Sequence, residues 1–243
     1  VDTPLNLTDN IVDVTYSVVP TGPSPTDCPG APFDIVVTVN PQIVQTLTNN
    51  SPVVCEGVGI DIDYTTPTEN GAITLTATYP SGVSGSVGYT GQSIGSSGTI
   101  TETLDNTTST PQTVTYTFTT SANGCIVVVE SVTVQVDPTP MFTNLPATEN
   151  ICSGDQLNFT SSSDVSGTVF TWTVSAPASI NGETNGTGTI DDILINTSDA
   201  IQTVTYTLTA TGPSPGSCVN SSTQSYFVTV NPNLVQTLTN NSP

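Results

Sequence analysis

Short stretches of this chain alternate apolar residues with threonine and are separated by clusters of Gly, Pro, Ser and Asn. Val204, Tyr206 and Leu208 fall on one side of an extended chain and threonines on the other, and Val114, Tyr116 and Phe118 repeat the pattern. A period of two with threonine outward is what a half-exposed antiparallel strand needs. The apolar positions are rich in β-branched residues, which suit a pleated surface. The pattern predicts strands at Leu157 and Phe159, over Val169 to Val174, Ile190 to Ile195, Val204 to Leu208 and Tyr226 to Val230, and at Val132, Val134 and Val136. About seven short strands per ~95 residues, with turns between them, predict a β-sandwich. Trp172 and Tyr206 are expected in its core.

The patterns recur. VQTLTNNSP stands at 44–52 and again at 235–243, 191 residues on, and TGPSP at 21–25 and 211–215. A shorter repeat lies inside this one: QTVTYT occurs at 112–117 and 202–207, each time after an Asn-Thr pair and before a cysteine. Val54-Cys55-Glu56-Gly57 likewise parallels Ile151-Cys152-Ser153-Gly154. Repeats of this size predict tandem modules. The expected division is the C-terminal part of one module at 1–41, complete modules at 42–138 and 139–232, and the start of another at 233–243. The chain reads as a slice of a longer array.

Composition narrows the function. There are 20 Asp and Glu and no Lys, Arg or His, a net charge of −20. Binding to nucleic acid depends on cations that displace counterions from phosphates, and a polybasic membrane surface needs them too, so both are excluded. Disorder is the usual fate of an acidic, Ser- and Thr-rich chain, but the ordered alternation of apolar residues argues against it. No apolar run approaches the length of a membrane span.

Five cysteines lie at equivalent places: Cys55 and Cys152 near module starts, and Cys28, Cys125 and Cys218 near the last strand. Recurrence at fixed positions in β modules points to disulfides and an oxidising compartment. The expected pairs are Cys55–Cys125 and Cys152–Cys218, with the partner of Cys28 upstream. Bridges between neighbouring modules are the alternative if the two cysteines of a module sit at opposite ends of it, and free buried thiols are the plainest alternative.

The stretch from Ile151-Cys152-Ser153-Gly154 through Leu157-Asn158-Phe159, Thr171-Trp172-Thr173 and Val204-Thr205-Tyr206 to Cys218 and Phe227-Val228-Thr229-Val230-Asn231-Pro232 resembles PKD-like domains. Such domains occur in giant secreted surface proteins of Bacteroidota, including adhesins of the gliding-motility kind. The resemblance covers 139–232 and the part of it present in 1–41. It is weaker over 42–138, where a Gly/Ser-rich run at 81–98 stands in place of a Trp strand. It implies all-β, tandem Ig-like antiparallel sandwiches in the stalk or filament of an extracellular cell-surface protein, and it brings no catalytic residues.

Other motifs carry little chemistry. Gly91-Gln92-Ser93-Ile94-Gly95 fits the GxSxG nucleophile pattern, but that pattern needs a strand–turn–helix setting and a histidine base; a flexible loop is expected instead. Leu145-Pro146-Ala147-Thr148-Glu149 is similar to a sortase signal yet lies between modules, as a linker would. No carboxylate pair stands in a recognisable glycosidase arrangement, so no enzyme is expected. Asp61, Asp63, Asp191 and Asp192 are the candidate Ca²⁺ ligands, since hard cations take carboxylate oxygens; their alternative role is to keep the surface soluble. The leading expectation is a structural and adhesive repeat region whose partners are its own neighbouring modules and, beyond them, surface glycans or other cell-surface proteins. The rival is a calcium-dependent carbohydrate-binding module that uses the 81–98 run.

Overall fold

The computed structural model describes residues 2–125, 127–144, 148–220 and 222–234. Leu145-Pro146-Ala147 of the sortase-like sequence and the second copy of VQTLTNNSP lie outside them. All regular structure among the described residues is β-strand apart from turns. The chain forms two compact units: Val1–Pro52 with Gly59–Leu104 and Thr113–Gln135, and Val53–Val58 with Asp105–Gln112 and Val136–Pro243.

In the second unit the alternating residues form the predicted strands. Gln202–Thr211 is central, paired antiparallel with Val169–Ser175 on one side and Gln224–Asn231 on the other. Thr148–Cys152 adds to the far edge of Gln224–Asn231 in parallel, with Cys152 opposite Asn231. Short pairs, Phe159–Thr160 with Thr189–Ile190 and Ile180–Asn181 with Ile195–Asn196, make the opposing layer. Between the layers lie Leu157, Trp172, Ile190, Leu194, Val204, Tyr206, Leu208, Tyr226 and Val228. Burial of each large apolar side chain contributes about 1.5–3 kcal/mol. The fold is an antiparallel Ig-like sandwich with this parallel edge.

The expected strand from Ile190 to Ile195 is two short strands. Asp192 interrupts it: its side chain turns inward and is buried, while the Asp192 carbonyl accepts a hydrogen bond from the Leu157 amide at 2.9 Å. Only an isolated bridge, Ile193 with Gln156, is made before the chain pairs again at Ile195.

The first unit repeats the plan. Gln112–Ser121 pairs with Ala72–Thr78, whose other edge carries Thr90–Gly95. The facing sheet has Ile62–Thr65 between Thr46–Asn49 and Ser97–Ile100. Much of the 81–98 run is therefore strand, at Val83–Gly85, Thr90–Gly95 and the start of Ser97–Ile100, with a turn at 81–82 and irregular chain at 86–89. Gly91 and Gly95 take φ of +88° and +83°, and the ladder with Ala72–Thr78 shifts register twice. These irregularities let a Gly/Ser-rich edge strand stay paired. Nor is the strand equivalent to the Trp strand missing. Leu75, opposite Phe118 in the ladder, occupies the place that Trp172 holds opposite Leu208.

The N-terminal segment carries a hairpin, Val12–Val18 with Phe33–Val39. Tyr206 and Val228 are fully buried in the second unit, whereas Phe33, Ile35, Val36 and Val37 of this hairpin are exposed.

Candidate functional site

Three features recur in the structure at repeat-equivalent positions, and they are where this chain concentrates its polar chemistry. The first is a plug before the central strand. Asn106 Nδ2 donates to the carbonyls of Thr110 at 3.0 Å and Val136 at 2.8 Å, while its Oδ1 accepts from the Thr108 amide and hydroxyl. Asn196 makes the same bonds to Ala200, Val230 and Ser198, and Asn6 to Asn10, Val39 and Thr8. An asparagine folds its own turn and ties it to the last strand. Its sequence signal was the Asn before each QTVTYT copy, visible as a repeat marker but not as a tie.

The second is a buried carboxylate held by tyrosine. Asp192 accepts from the Tyr206 hydroxyl at 2.7 Å and from the Thr184 amide and hydroxyl at 2.9 and 2.6 Å. Glu102 accepts from Tyr116, from Tyr79 at 2.8 Å and from the Val87 amide at 3.2 Å. Tyr16 donates to Asp2 at the equivalent exposed place. With no cation in the sequence, neutral donors must satisfy these carboxylates. Burial, and then the hydrogen bond to the carboxylate, pushes the Tyr116 and Tyr206 phenols well above their ordinary range.

Asp192 is thus engaged inside the protein, while Asp191 is exposed beside it. Asp61 and Asp63 share the Asn50 side chain, at 3.1 and 2.9 Å, and Thr99 donates to Asp63 at 2.6 Å. The Thr99 bond, and then that from Asn50, holds the Asp63 carboxyl below its ordinary value. Among the described residues no group of three or more His, Cys, Asp or Glu side chains is arranged to hold a metal ion. Ser93 of the GxSxG match lies on the Thr90–Gly95 strand opposite Thr74.

The third feature is the cysteines. The structure joins Cys55 to Cys218, with Cα atoms 5.5 Å apart, and leaves Cys28, Cys125 and Cys152 free. The expected pairs Cys55–Cys125 and Cys152–Cys218 do not form. The bond lies within the second compact unit, which takes in the Cys55 segment together with Cys218. In sequence terms it links the opening strand of one repeat to the last hairpin of the next.

The setting of this bond is polar and closely fitted. The Glu56 amide donates to the Asp137 carbonyl at 3.0 Å, and Cys218 Sγ lies 3.7 Å from the same oxygen. Asp137 Oδ2 accepts from the Gly216 amide at 2.9 Å. A Cβ at Gly216 would come within 2.2 Å of that carboxylate oxygen, so only glycine fits. Thr139 donates its amide to Glu56 Oε2 at 3.2 Å. The Gly212 amide closes the hairpin on the Cys218 carbonyl at 2.7 Å, as Gly22 does on Cys28 at 2.9 Å.

Comparison with known proteins bears on what these modules are. The sequence profile of the PKD-like domain matches residues 52–140 and 149–234, more than two thirds of the chain. The chain belongs to the PKD-like domain family. Among solved structures, human CDH23 cadherin domains EC21–23 are similar at 17% identity and a TM-score of 0.40, over 89% of this chain and 73% of that one. Extracellular cadherin domains 3–6 of protocadherin gamma B2 align at 13% identity and a TM-score of 0.34, over 91% of this chain but only 57% of that one. Titin domains I67–I69 align at 10% identity and a TM-score of 0.38, over 84% and 70%. No curated protein sequence matches the chain. Tandem PKD-like modules are in general structural or adhesive. Among the described residues no helix is long and apolar enough to cross a membrane.

Proposed function

We propose that this chain is part of the structural and adhesive repeat region of a large extracellular protein at a bacterial cell surface, of the kind found in gliding-motility adhesins. On this reading residues 1–41 end one module, 42–138 and 139–232 are two complete ones, and 233–243 begin another. The observation that carries it is the tandem match to the PKD-like domain, together with a disulfide whose two cysteines come from successive repeats.

The chemistry supports the reading. Modules in series add length while each contacts mainly its neighbours, and the disulfide suits an oxidising exterior. A chain without Lys or Arg has no trypsin-like cleavage site, which is useful outside the cell. Its binding partners are its own adjoining modules and neutral or basic surfaces, since a net charge of −20 repels other anions.

Labelling of intact cells of the organism that encodes the chain, with antibody raised against it, tests the proposal. Surface label on unpermeabilised cells, lost after brief treatment with a broad-specificity protease, is expected. Label that appears only after permeabilisation would overturn it.

A further inference from the structure

The free cysteines occupy the same local settings as the bonded ones. Cys152 sits opposite Asn231, and the following amide, Ser153, donates to the Asn231 carbonyl at 2.9 Å. Cys55 is placed by the same device, the following amide of Glu56 donating to the Asp137 carbonyl at 3.0 Å. Asp137 and Asn231 are repeat equivalents, each ending a module's last strand before a proline.

The hairpin cysteines match in turn. Cys218 Sγ lies 3.7 Å from the Asp137 carbonyl, and Cys125 Sγ lies 4.0 Å from the Pro41 carbonyl. Pro41 follows Asn40, the counterpart of Asp137 in the preceding repeat. Asn40 Nδ2 donates to the Asn123 carbonyl at 3.1 Å, beside Cys125, just as Asp137 accepts from Gly216, beside Cys218. Each hairpin cysteine is thus seated at the end of the last strand of the repeat before it. That is where the opening-strand cysteine of the preceding repeat lies in the one bonded case.

We infer that Cys55–Cys218 is one member of a series of staples in which the opening-strand cysteine of each PKD-like module bonds to the hairpin cysteine of the next. Cys152 is the donor half-site for the hairpin cysteine of a following module. Cys125 is the acceptor half-site for the opening-strand cysteine of a preceding one, and Cys28 occupies the acceptor position one repeat earlier. The partner is in each case another PKD-like module with a cysteine in the matching position.

The bond forms by exchange with an oxidised small-molecule disulfide such as oxidised glutathione. The thiolate of Cys152 attacks it, giving a mixed disulfide and one reduced thiol. The partner thiolate then attacks the Cys152 sulfur and releases the second reduced thiol. The two protons lost from the cysteines end on the two released thiols, so atoms and electrons balance. The inference rests on the extracellular-array reading, because a reducing compartment would keep these thiols free.

The test is an extended chain: residues 1–243 followed by a second copy of residues 53–138. Because 235–243 repeats 44–52, the added module continues in register. The chain is oxidised in a glutathione buffer, alkylated, digested with pepsin and mapped by mass spectrometry, beside the 243-residue chain and the extended chain carrying Cys152→Ser. The staple series predicts Cys55–Cys218 in all three, and Cys152 bonded to the second copy of Cys125 only in the extended chain with native Cys152. The Cys152→Ser chain then returns the second copy of Cys125 to the alkylated pool. Cys55–Cys218 formed while Cys152 stays alkylatable, or Cys152 bonded to Cys125 or Cys218 of its own chain, overturns the series but leaves the extracellular reading standing. Failure of Cys55–Cys218 under these oxidising conditions would overturn the series and tell against that reading as well.

Discussion

The hydroxyl of Tyr206 donates to Asp192 Oδ2 at 2.7 Å inside a sandwich that has no cation to offer. The same contact is made by Tyr116 to Glu102 and by Tyr16 to Asp2, always across 14 residues. A buried ionised carboxylate is tolerated only when its lone pairs are taken. Tyr206→Phe removes one donor and leaves the ring packing in place, and it is expected to cost about 1–3 kcal/mol. Urea unfolding followed by the fluorescence of Trp172, the chain's single tryptophan, reads this unit directly. Asp192→Asn combined with Tyr206→Phe should cost less than the sum of the two, because the orphaned charge is gone. Additive losses would show that the pair does not interact.

The asparagine plug makes a sharper claim about local order. Asn196→Ala deletes bonds to Ala200, Val230 and Ser198 at once. It leaves two carbonyls and an amide short of partners in a partly buried turn, so a loss of about 2–3 kcal/mol is expected. Asn196→Asp keeps the acceptor side but sets a carboxylate oxygen against the Ala200 and Val230 carbonyls, and should cost at least as much as alanine. Hydrogen exchange of the Ser198 amide separates the variants: fast in alanine, protected in aspartate. Protection retained in the alanine variant would count against the plug.

Alkaline pH should unfold both units through their tyrosines. Tyr79, Tyr116, Tyr206 and Tyr226 all have phenols raised above the ordinary 10.0, first by burial and then by a bond to a carboxylate. A raised folded value means that the folded chain holds its protons more tightly. Stability is therefore full below about pH 10 and declines as pH rises above it. A titration of phenolate absorbance should show these groups ionising late and together with the loss of β-sheet circular dichroism. Smooth, independent ionisation with the sheet intact would contradict the burial of these rings.

Calcium should have little effect. Asp61 and Asp63 are bound to Asn50 and Thr99, and Asp192 is turned into the core away from exposed Asp191. The expected result is an unchanged melting temperature with millimolar calcium or with chelator. A higher melting temperature in calcium that is lost in Asp61→Asn would identify these residues as ligands and support the calcium-dependent binding reading.

How far the sequence could be read depended on whether a feature is local. Val204, Tyr206 and Leu208 announce their strand because alternation is a property of neighbours, and all three are buried as the period requires. Ile190 to Ile195 misled because a carboxylate at Asp192 looks like an outward residue until Tyr206, 14 residues on, is found bonded to it. Leu75 hid the equivalent of the Trp172 strand, since the ladder position asks for a buried apolar side chain and not for a tryptophan. The cysteines show the limit most clearly. Spacing revealed that Cys55 and Cys152 are equivalent, and likewise Cys125 and Cys218. Which end of a sandwich each occupies is set by the parallel edge of Thr148–Cys152 on Gln224–Asn231, and no alternation pattern reports a parallel edge.

The Cys55–Cys218 bond closes 163 residues of sequence, and its removal therefore has a measurable stability consequence for the second unit. A crosslink over so long a loop restricts the unfolded chain strongly, and losing a native one typically costs about 2–5 kcal/mol. Cys218 is buried and Cys55 half-buried, so serine at position 218 also places a hydroxyl in a dry site. Cys55→Ser is thus the cleaner variant. It should lower the urea midpoint of the Trp172 signal by the crosslink contribution, and a thiol reductant should shift the native chain to the same midpoint. Cys152→Ser, which breaks no bond in this chain, should leave the midpoint where it was. A Cys55→Ser chain as stable as the native one would mean that the hydrogen bonds of Glu56 and Gly216 to Asp137 hold the junction without the sulfur bridge. Equal sensitivity of Cys152→Ser and Cys55→Ser would instead mean that the two cysteines exchange partners in solution.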